Sequence, residues 1–326
     1  FLVGTRVIDK IIEREDNLRS SFGVIWGESI KSELNREIGK IIFDKMENKE
    51  VNFKNPDILI EYLVPEFNYN ITVNPIFLFG RYRKLLRGIP QTKWFCKKCQ
   101  GKGCENCNFK GKLYDISVEE LISEPTLTEV EGYDSKFNGA GREDIDAIMI
   151  GQGRPFVLEL KGAKRRKIDL NKLEEKINNF GKGKVEVQDL KWVLRDVVRK
   201  IKALSKITKK TYKAIVELEN EVPKERLEEA EKILSNALIE QRTPKRVVHR
   251  RVDTLREKQV YSLKINVINT KKLEVIVEGQ GGLYIKELIS GDEGRTTPSL
   301  SEILNTKATC YQLDVLEVDF PKEMIN

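Results

Sequence analysis

Acidic and basic side chains whose spacing could support catalysis are concentrated in one short stretch of the sequence, GAGREDIDAIMIGQGRPFVLELK. Asp144 follows Arg142, Asp146 comes two residues later, and Glu159 and Lys161 close the stretch. A carboxylate can act as a nucleophile, and a pair of carboxylates can hold a divalent metal that activates water. The stretch therefore predicts chemistry carried by carboxylates, of one of these two kinds.

The metal-dependent alternative is a nuclease. An acidic residue followed by Glu-x-Lys on the next strand resembles the layout of the restriction-endonuclease-like family. In that layout Asp146 and Glu159 would hold Mg²⁺, and Lys161 would stabilise the attacking water. The pattern is short, and on these residues alone it stays open beside the nucleophile hypothesis.

A single histidine limits the other catalytic systems. His249 lies in the basic run TPKRVVHRR. Ser-His-Asp and Cys-His systems need a histidine base, so they would depend on this one residue. A solvent-facing or RNA-facing position among arginines is the alternative for His249. Chemistry based on carboxylate, lysine, tyrosine or metal is therefore favoured.

Four of the five cysteines form a metal-site pattern. Cys96, Cys99, Cys104 and Cys107 read C-x2-C-x4-C-x2-C. Each C-x2-C turn places two thiolates within reach of one tetrahedral Zn²⁺, and a site with four thiolates is structural. The alternative is that each pair completes a site with cysteines elsewhere. The pattern predicts one structural zinc ion in a reducing compartment, the cytoplasm.

The composition favours a polyanionic partner. The 326 residues are enough for two domains of ordinary size, and 40% of them are apolar. The net charge is +7, which favours binding to a polyanion. No apolar run is long enough to cross a membrane, so we expect no membrane partner.

The elements that must position these residues follow from local patterns. DIDAIMI, the glycine-rich GQGRP and FVLELK predict a β-hairpin in which Asp144 and Asp146 share one face. Ser117 and Glu120 form a capping box, which predicts that a helix begins there.

A strongly basic segment follows the predicted hairpin. Residues 161–213 contain 18 lysines and arginines against 6 acidic residues. Apolar residues from Trp192 to Leu204 recur at helical spacing and predict a basic amphipathic helix. The next run, KKTYK, reads as a cationic loop that carries Tyr212.

Several separated blocks resemble one enzyme family. GRED resembles the GR-x-D signature of pseudouridine synthases, and GGLYIKELISGDEGRTTPSL resembles the G-T-Y-I-R element of the same superfamily with the extension of one branch. Four further blocks occur in the order typical of that branch: FGRYRKLLRGIPQTKW, SVEELI, GRPFVLEL and TPKRVVHRR. It is the archaeal and eukaryotic tRNA pseudouridine synthase family that acts on positions 54 and 55 of the TΨC arm.

The resemblance covers the chain from about Asn55 to its C-terminus and implies an α+β fold. Residues 113–326 would form the catalytic domain, a mixed or antiparallel β-sheet flanked by helices, with a basic helical insertion at about 161–213. Residues 1–112 would form an accessory α/β RNA-binding domain with a THUMP-like module and a zinc knuckle.

The resemblance also implies roles for five residues. Asp144 would be the nucleophile, and Lys286 its cationic partner, where many relatives carry Arg. Tyr284 would form a wall of the uracil pocket, Arg142 would fill the space left by the extruded base, and Tyr212 would stack on an unpaired base. A core position is the alternative for each tyrosine, and a surface position at a helix start is the alternative for Lys286.

The implied reaction needs no organic cofactor, because no redox step or phosphoryl transfer takes place. The implied partner is the TΨC arm of tRNA, bound by a monomer in the cytoplasm. Which of the two uridines is preferred stays open. A zinc-containing RNA-binding module without activity is the third hypothesis, beside the isomerase and the nuclease.

Overall fold

The computed structural model describes residues 1–47 and 49–321. The first elements are β1 (Leu2–Val7), α1 (Asp9–Ser21), α2 (Ile30–Lys45), β2 (Ile58–Val64) and β3 (Asn68–Val73). β1 pairs in parallel with β2, and β2 pairs antiparallel with β3. Helix α2 packs on β1, so this N-terminal module is a small α/β unit.

A second, larger sheet contains ten strands in the part of the chain that the structure describes. They are β4 (Ile76–Lys84), β5 (Asp134–Gly139), β6 (Ile148–Lys161), β7 (Val185–Val193), β8 (Lys209–Leu218), β9 (Leu238–Arg242), β10 (Leu255–Asn269), β11 (Lys272–Gln280), β12 (Thr296–Thr297) and β13 (Ala308–Val318). Their order is β12-β9-β10-β11-β8-β13-β6-β4-β7, and β5 pairs with β6. β13 and β6 run parallel, while the other pairings in this sheet are antiparallel.

Six helices in the described part of the chain accompany the large sheet: α3 (Val118–Val130), α4 (Leu170–Phe180), α5 (Asp196–Leu204), α6 (Lys224–Leu234), α7 (Ile285–Ser290) and α8 (Leu300–Leu304). The predicted start of α3 is confirmed, with Ser117 as its N-cap: the Ser117 hydroxyl accepts from Glu120 N at 3.2 Å. The Glu120 carboxylate accepts from this hydroxyl at 2.7 Å and not from the Ser117 backbone N–H, so the predicted capping box is only half formed. The predicted α+β fold, a mixed sheet flanked by helices, is confirmed.

The predicted hairpin turn at GQGRP is wrong. β6 runs without a break through this segment, and its hairpin partner is β5, which precedes it. Gly151 and Gly153 have positive φ angles of 62° and 75°, and a Cβ at Gly151 would lie 2.0 Å from Leu316 O. The glycines therefore let the strand bend closely past its neighbours. Asp144 and Asp146 lie in the loop before β6, residues 140–147.

The predicted basic helix is too long at its start, and the predicted cationic loop is wrong. Trp192 and Val193 belong to β7, where they pair with β4, and the helix α5 begins at Asp196. KKTYK forms the start of β8, an inner strand of the large sheet. Pairing with neighbouring strands determines the structure of both segments, because short apolar runs taken by themselves do not distinguish a strand from a helix.

The two halves of the large sheet meet at the β6–β13 contact. This contact consists of the pairs Ile148 with Asp314 and Met149 with Val315. One hydrophobic core lies around β8, β11 and β13 with α6–α8, and another lies around β4, β6 and β7 with α3 and α4. The loop 140–147 enters the sheet at this junction, so its side chains lie where the two halves meet.

The predicted division of the chain near residue 112 stays a prediction. β4 comes before that position, and it pairs with β6 and β7 of the large sheet. Residues 322–326, which the predicted catalytic domain includes, lie outside the described residues.

Candidate active site

The loop 140–147 is anchored by a buried ion pair. Glu143, between Arg142 and Asp144 in the sequence, accepts from Arg154 Nε at 2.8 Å and from the Tyr82 hydroxyl at 2.8 Å. The side chains of Arg154 and Glu143 are 2% and 0% exposed. Charge-assisted hydrogen bonds of this kind hold both partners in a fixed geometry. Glu143, which the sequence analysis did not single out, therefore fixes the backbone beside Asp144.

Lys84 holds the other end of the loop. Its buried ammonium group donates to the carbonyl oxygens of Ile89, Asp144 and Ile145 at 2.8, 3.2 and 2.9 Å. Burial lowers the pKa of Lys84 to about 8. Gln91 donates to Gly141 O at 2.9 Å. The Asp144 backbone is thus restrained from several sides.

The Asp144 carboxylate is paired with two cations. Arg246 Nη1 lies 3.2 Å from Oδ1, and Lys286 Nζ lies 3.4 Å from Oδ2. Lys286 lies closer to Asp146, at 2.8 Å from Oδ2. Burial alone would lower the pKa of Lys286, but the hydrogen bond to Asp146 and the charge of Asp144 raise it overall. Lys286 therefore stays charged and is shared between two carboxylates.

Arg246 is the main site residue that the sequence analysis missed. It lies in the 3-10 segment Lys245–Arg250 that follows β9. Its Nε donates to Glu287 Oε1 at 2.7 Å, and Glu287 is 4% exposed. The motif TPKRVVHRR drew attention to this segment, but sequence alone could not show which arginine contacts Asp144.

An open cavity of about 680 Å³ begins at Asp144. This volume lies within the range of small-ligand and cofactor sites. Its walls combine cations, tyrosines and small residues, among them Gly141, Arg142, Asp144, Lys210, Tyr212, Arg246, Lys258, Tyr284 and Lys286. The structure thus brings Asp144, Tyr212, Tyr284, Lys286 and Arg142, the five residues selected from the sequence, to one cavity, while their roles stay predictions.

Tyr212 and Tyr284 contribute to the cavity in different ways. Tyr212 is 9% exposed on β8, and burial raises the pKa of its phenol to about 12, so the ring is neutral at neutral pH. The Tyr284 hydroxyl accepts from Arg251 Nη1 at 2.8 Å. Gln241 holds the Tyr284 backbone, since it accepts from its N–H at 2.9 Å and donates to its carbonyl at 3.0 Å.

Arg142 lies against an aromatic ring. Its guanidinium carbon lies 5.0 Å from the centroid of the Trp94 ring, a cation–π distance. Trp94 in turn packs edge-on against Tyr114 with ring centroids 5.6 Å apart. Arg142, Trp94 and Asp144 also line a smaller cavity of about 210 Å³ beside the main one.

The four clustered cysteines form one potential metal site. Their Sγ atoms all lie within 4.8 Å of one another, and the Cys96–Cys104 and Cys99–Cys107 sulfur atoms are 3.9 and 3.8 Å apart. A tetrahedron with four Zn–S bonds of about 2.3 Å has edges of about 3.8 Å. The donor set therefore fits one tetrahedral ion held by both C-x2-C pairs.

The cysteine loop, residues 95–112, is connected to the candidate active site. An isolated bridge between Phe95 and Lys112 closes the loop at its base. Leu113 N donates to Trp94 O at 2.9 Å, next to that bridge. Trp94, which holds Arg142, is thus positioned by the base of the cysteine loop.

The residues of the nuclease hypothesis do not converge. Asp146 precedes β6, whereas Glu159 lies near the other end of that strand. Met149 pairs with Lys84 and Glu159 with Phe77, and seven residues of β4 correspond to about 23 Å. Lys161 instead forms an exposed ion pair with Asp134 at 2.7 Å.

Within residues 1–47 and 49–321, no helix combines the length and the apolar character needed to cross a membrane.

Comparison with known proteins identifies the family. The model described as "Pus10, C-terminal" matches residues 77–319, and "Pus10 THUMP domain, archaeal" matches residues 1–62. The curated "tRNA pseudouridine synthase Pus10" of Methanocaldococcus jannaschii is 49% identical over 320 residues, which cover 98% of this chain and 68% of that protein. Its namesake from Methanothermobacter marburgensis is 49% identical over 321 residues, which cover 98% of this chain and 78% of the relative.

Solved structures give a weaker likeness. A chain of a Cbf5–Nop10–Gar1 complex aligns at a TM-score of 0.39 and 19% identity, over 62% of this chain and 45% of that chain. A TM-score this low adds nothing to the assignment. The assignment rests on the two family models and on the relatives at 49% identity, which show that the chain belongs to the Pus10 family.

Proposed function

We propose that this protein is a tRNA pseudouridine synthase that isomerises uridine at position 54, position 55 or both in the TΨC arm. The observation that carries the proposal is the Asp144 carboxylate, which is ion-paired with Arg246 and Lys286 at the wall of a cavity. Family membership and the relatives' name support the same reaction.

The reaction breaks the N1–C1′ bond of uridine and forms a C5–C1′ bond. The detached uracil turns in the site, its C5 proton leaves to solvent, and N1 gains a proton. Attack on C1′, attack on C6 and removal of a sugar proton are three possible routes. All three require an ionised carboxylate, and Asp144 lies within ion-pairing distance of Arg246 and Lys286. No organic cofactor is required by any of these steps.

The aromatic and basic residues of the cavity would handle the extruded nucleotide. A base must leave the helix stack to meet Asp144. Tyr212 and Tyr284 would then contact the uracil ring from β8 and the start of α7. Arg142, which rests on Trp94, would turn into the space left in the RNA. These roles explain why one cavity combines tyrosines with cations.

Zinc is the metal we propose for the cysteine loop. Four thiolates with no further ligand position suit a structural Zn²⁺, and the tetrahedral spacing of Cys96, Cys99, Cys104 and Cys107 supports it. The ion would hold the loop in shape and would take no part in the isomerisation. A module of residues 1–112 for RNA contact, with 113–326 for catalysis, remains part of the proposal.

The proposed partner is the TΨC arm of tRNA, bound by one copy of the chain in the cytoplasm. The free thiols suit a reducing compartment.

The test uses an unmodified tRNA transcript incubated with the protein, with and without EDTA. Carbodiimide mapping of pseudouridine should report product at position 54, 55 or both in either buffer. Cleavage that stops in EDTA would support the nuclease, and binding without product in either buffer would support an inactive RNA-binding module. Asp144→Asn should abolish product while tRNA affinity changes only a few-fold, and unchanged turnover would overturn the proposed nucleophile.

A further inference from the structure

The cavity is lined by further basic residues that the proposed reaction does not use. Lys210 on β8 and Lys258 on β10 line it, together with Lys206 and Arg256. Lys210 and Tyr212 are two residues apart on one strand and face the same side of the sheet. The proposed base-binding residues and these basic residues therefore line the same cavity.

Lys210 is buried without a carboxylate partner among the described residues. It is 5% exposed, and its Nζ donates to Ser205 O at 3.1 Å. Glu143, a carboxylate whose charge acts on Lys210, is already paired with Arg154. A buried charge is destabilising unless it is paired. An anion bound beside Lys210 would therefore stabilise its charged form.

Lys84 provides a comparison within the same chain. Its ammonium group has three protons, and it donates to three carbonyl oxygens. The ammonium group of Lys210 donates to one backbone oxygen in the structure. Lys84 is thus satisfied as a structural lysine, whereas Lys210 keeps donors for a ligand in the cavity.

Lys258 lines the same cavity as Lys210 and is close enough for its charge to act on it. Its Nζ donates to Gly281 O at 3.0 Å, and a Cβ at Gly281 would lie 2.2 Å from Ser205 O. The two lysines are thus attached to backbone segments that touch each other. Their mutual repulsion is one reason why the pKa of Lys210 falls to about 7, after burial and the charge of Arg154.

We propose that Lys210 and Lys258 form a subsite for an RNA phosphodiester that flanks the target nucleotide. The inference rests on the proposed function for the identity of the ligand. A phosphodiester offers several acceptor oxygens and one negative charge, which complement two adjacent ammonium groups. Asp144 and this subsite would then hold the nucleotide by its sugar and its phosphate.

The test is a double-mutant cycle between protein and RNA. A TΨC stem-loop carries a neutral methylphosphonate at the 5′ or the 3′ linkage of the target uridine, and its affinity is measured for the parent protein and for Lys210→Met. The parent should lose roughly tenfold in affinity for one of the two RNAs, whereas Lys210→Met should lose little. The salt slope of binding should fall by about one in the variant.

Lys209→Met is the matched control. Lys209 is the preceding residue on β8, is 52% exposed and pairs with Glu278 at 2.9 Å, so its loss removes the same charge from the other face. Its cycle should show no coupling. Lys258→Met, at a partly exposed position, keeps the test valid should Lys210→Met fold poorly.

The subsite would be overturned if Lys210→Met and each methylphosphonate changed the affinity independently, that is, if neither RNA showed coupling to the lysine. If the parent still forms pseudouridine in that case, the subsite alone fails. If coupling is found without product, the subsite stands and the proposed isomerase fails. Failure of the parent to bind the stem-loop overturns the subsite as well.

Discussion

Arg246 joins Asp144 to Glu287, two carboxylates that lie 143 residues apart in the sequence. Its Nη1 lies 3.2 Å from Asp144 Oδ1, and its Nε lies 2.7 Å from Glu287 Oε1. Glu287 follows Lys286 in α7. Helix α7 thus supplies one cation to Asp144 directly and orients the second through Glu287.

This relationship predicts that Arg246→Gln lowers the isomerisation rate by about 100-fold. The variant removes a cation from Asp144 and leaves Glu287 buried without its partner. We expect tRNA affinity to change much less than the rate. Single-turnover tritium release from tRNA with [5-³H]uridine measures the rate, because C5 loses its hydrogen in the reaction.

Arg246→Lys is the matched control, since it keeps the charge but lacks the fork that reaches two carboxylates. It should recover part of the rate. Equal isomerisation rates for the parent protein and Arg246→Gln would show that Asp144 needs no cation other than Lys286.

The sharing of Lys286 gives a second prediction. Lys286 Nζ is closer to Asp146 than to Asp144, so Asp146→Asn should leave Lys286 to Asp144 alone. We expect Asp146→Asn to keep activity within a few-fold, and Lys286→Met to lower it by about 100-fold. The same tritium-release assay measures both. If the parent protein cleaved the tRNA and Asp146→Asn did not, the nuclease hypothesis would be supported instead.

Sequence patterns were sufficient where a residue's neighbours are close along the chain. The spacing of Cys96, Cys99, Cys104 and Cys107 predicts a shared site, because two tight turns bring the thiolates together without help from the rest of the fold. The N-cap at Ser117 is local in the same sense. GRED marked Asp144, since a short motif in a loop depends little on the elements around it.

Contacts over long sequence separations could not be predicted. Arg246 meets Asp144 across 102 residues, and its neighbours in TPKRVVHRR have the same chemistry. Gly151 and Gly153 read as a turn because glycine permits either a reversal or a bend, and only the neighbouring strands decide between them. Tyr212 was predicted to be a loop residue because lysines surround it. In the structure buried Lys210 and Tyr212 alternate with the more exposed Lys209, Thr211 and Lys213, as in a strand with one buried face.

The buried pair of Glu143 and Arg154 gives a third prediction, on stability. Glu143→Gln leaves the Arg154 guanidinium buried without its counter-charge, so the free energy of unfolding should fall by about 3–5 kcal/mol. Adding Arg154→Met should recover part of this loss. Urea unfolding measures the change. Asp134→Asn, which breaks the exposed pair with Lys161, should change stability by about 1 kcal/mol or less.

A fall for Glu143→Gln no larger than that for Asp134→Asn would contradict the anchoring role of the buried pair. A double variant no more stable than the single one would show that Arg154 packing, rather than its unpaired charge, dominates.

The link between the cysteine loop and Trp94 gives a fourth prediction. The purified protein should hold about one zinc per chain, and Cys104→Ser should lose it. With Trp26→Phe and Trp192→Phe in place, Trp94 is the remaining tryptophan of three. Removal of the metal should shift its fluorescence, because the loop base that fixes Trp94 against Tyr114 would loosen. Cys310→Ser, outside the cluster, should keep both metal and fluorescence.

An unchanged Trp94 spectrum after complete metal loss would show that the loop base holds its shape without the ion. Retention of metal by Cys104→Ser would show that the four thiolates do not act together.

The burial of Lys210 gives a fifth prediction, on pH. The groups that face it are Arg154 on β6, Lys258 on β10 and Glu143 in the loop 140–147. Its pKa falls from 10.5 to about 7 on folding, chiefly through burial and then through Arg154 and Lys258. Between these two values the unfolded chain binds the proton and the folded chain does not. The free energy of unfolding should therefore rise with pH across this window and stay flat below it.

Lys210→Met removes this titration, whereas Lys84, with a pKa of about 8, titrates in both proteins and cancels in the difference. The stability of the parent relative to Lys210→Met should grow by up to about 4 kcal/mol between the lower and the upper pKa. Urea unfolding at matched pH values measures it. A bound phosphodiester would favour the charged lysine, so saturating RNA stem-loop should flatten the rise. Parallel pH profiles for the two proteins would show that Lys210 stays charged in the folded state, held by groups other than the RNA.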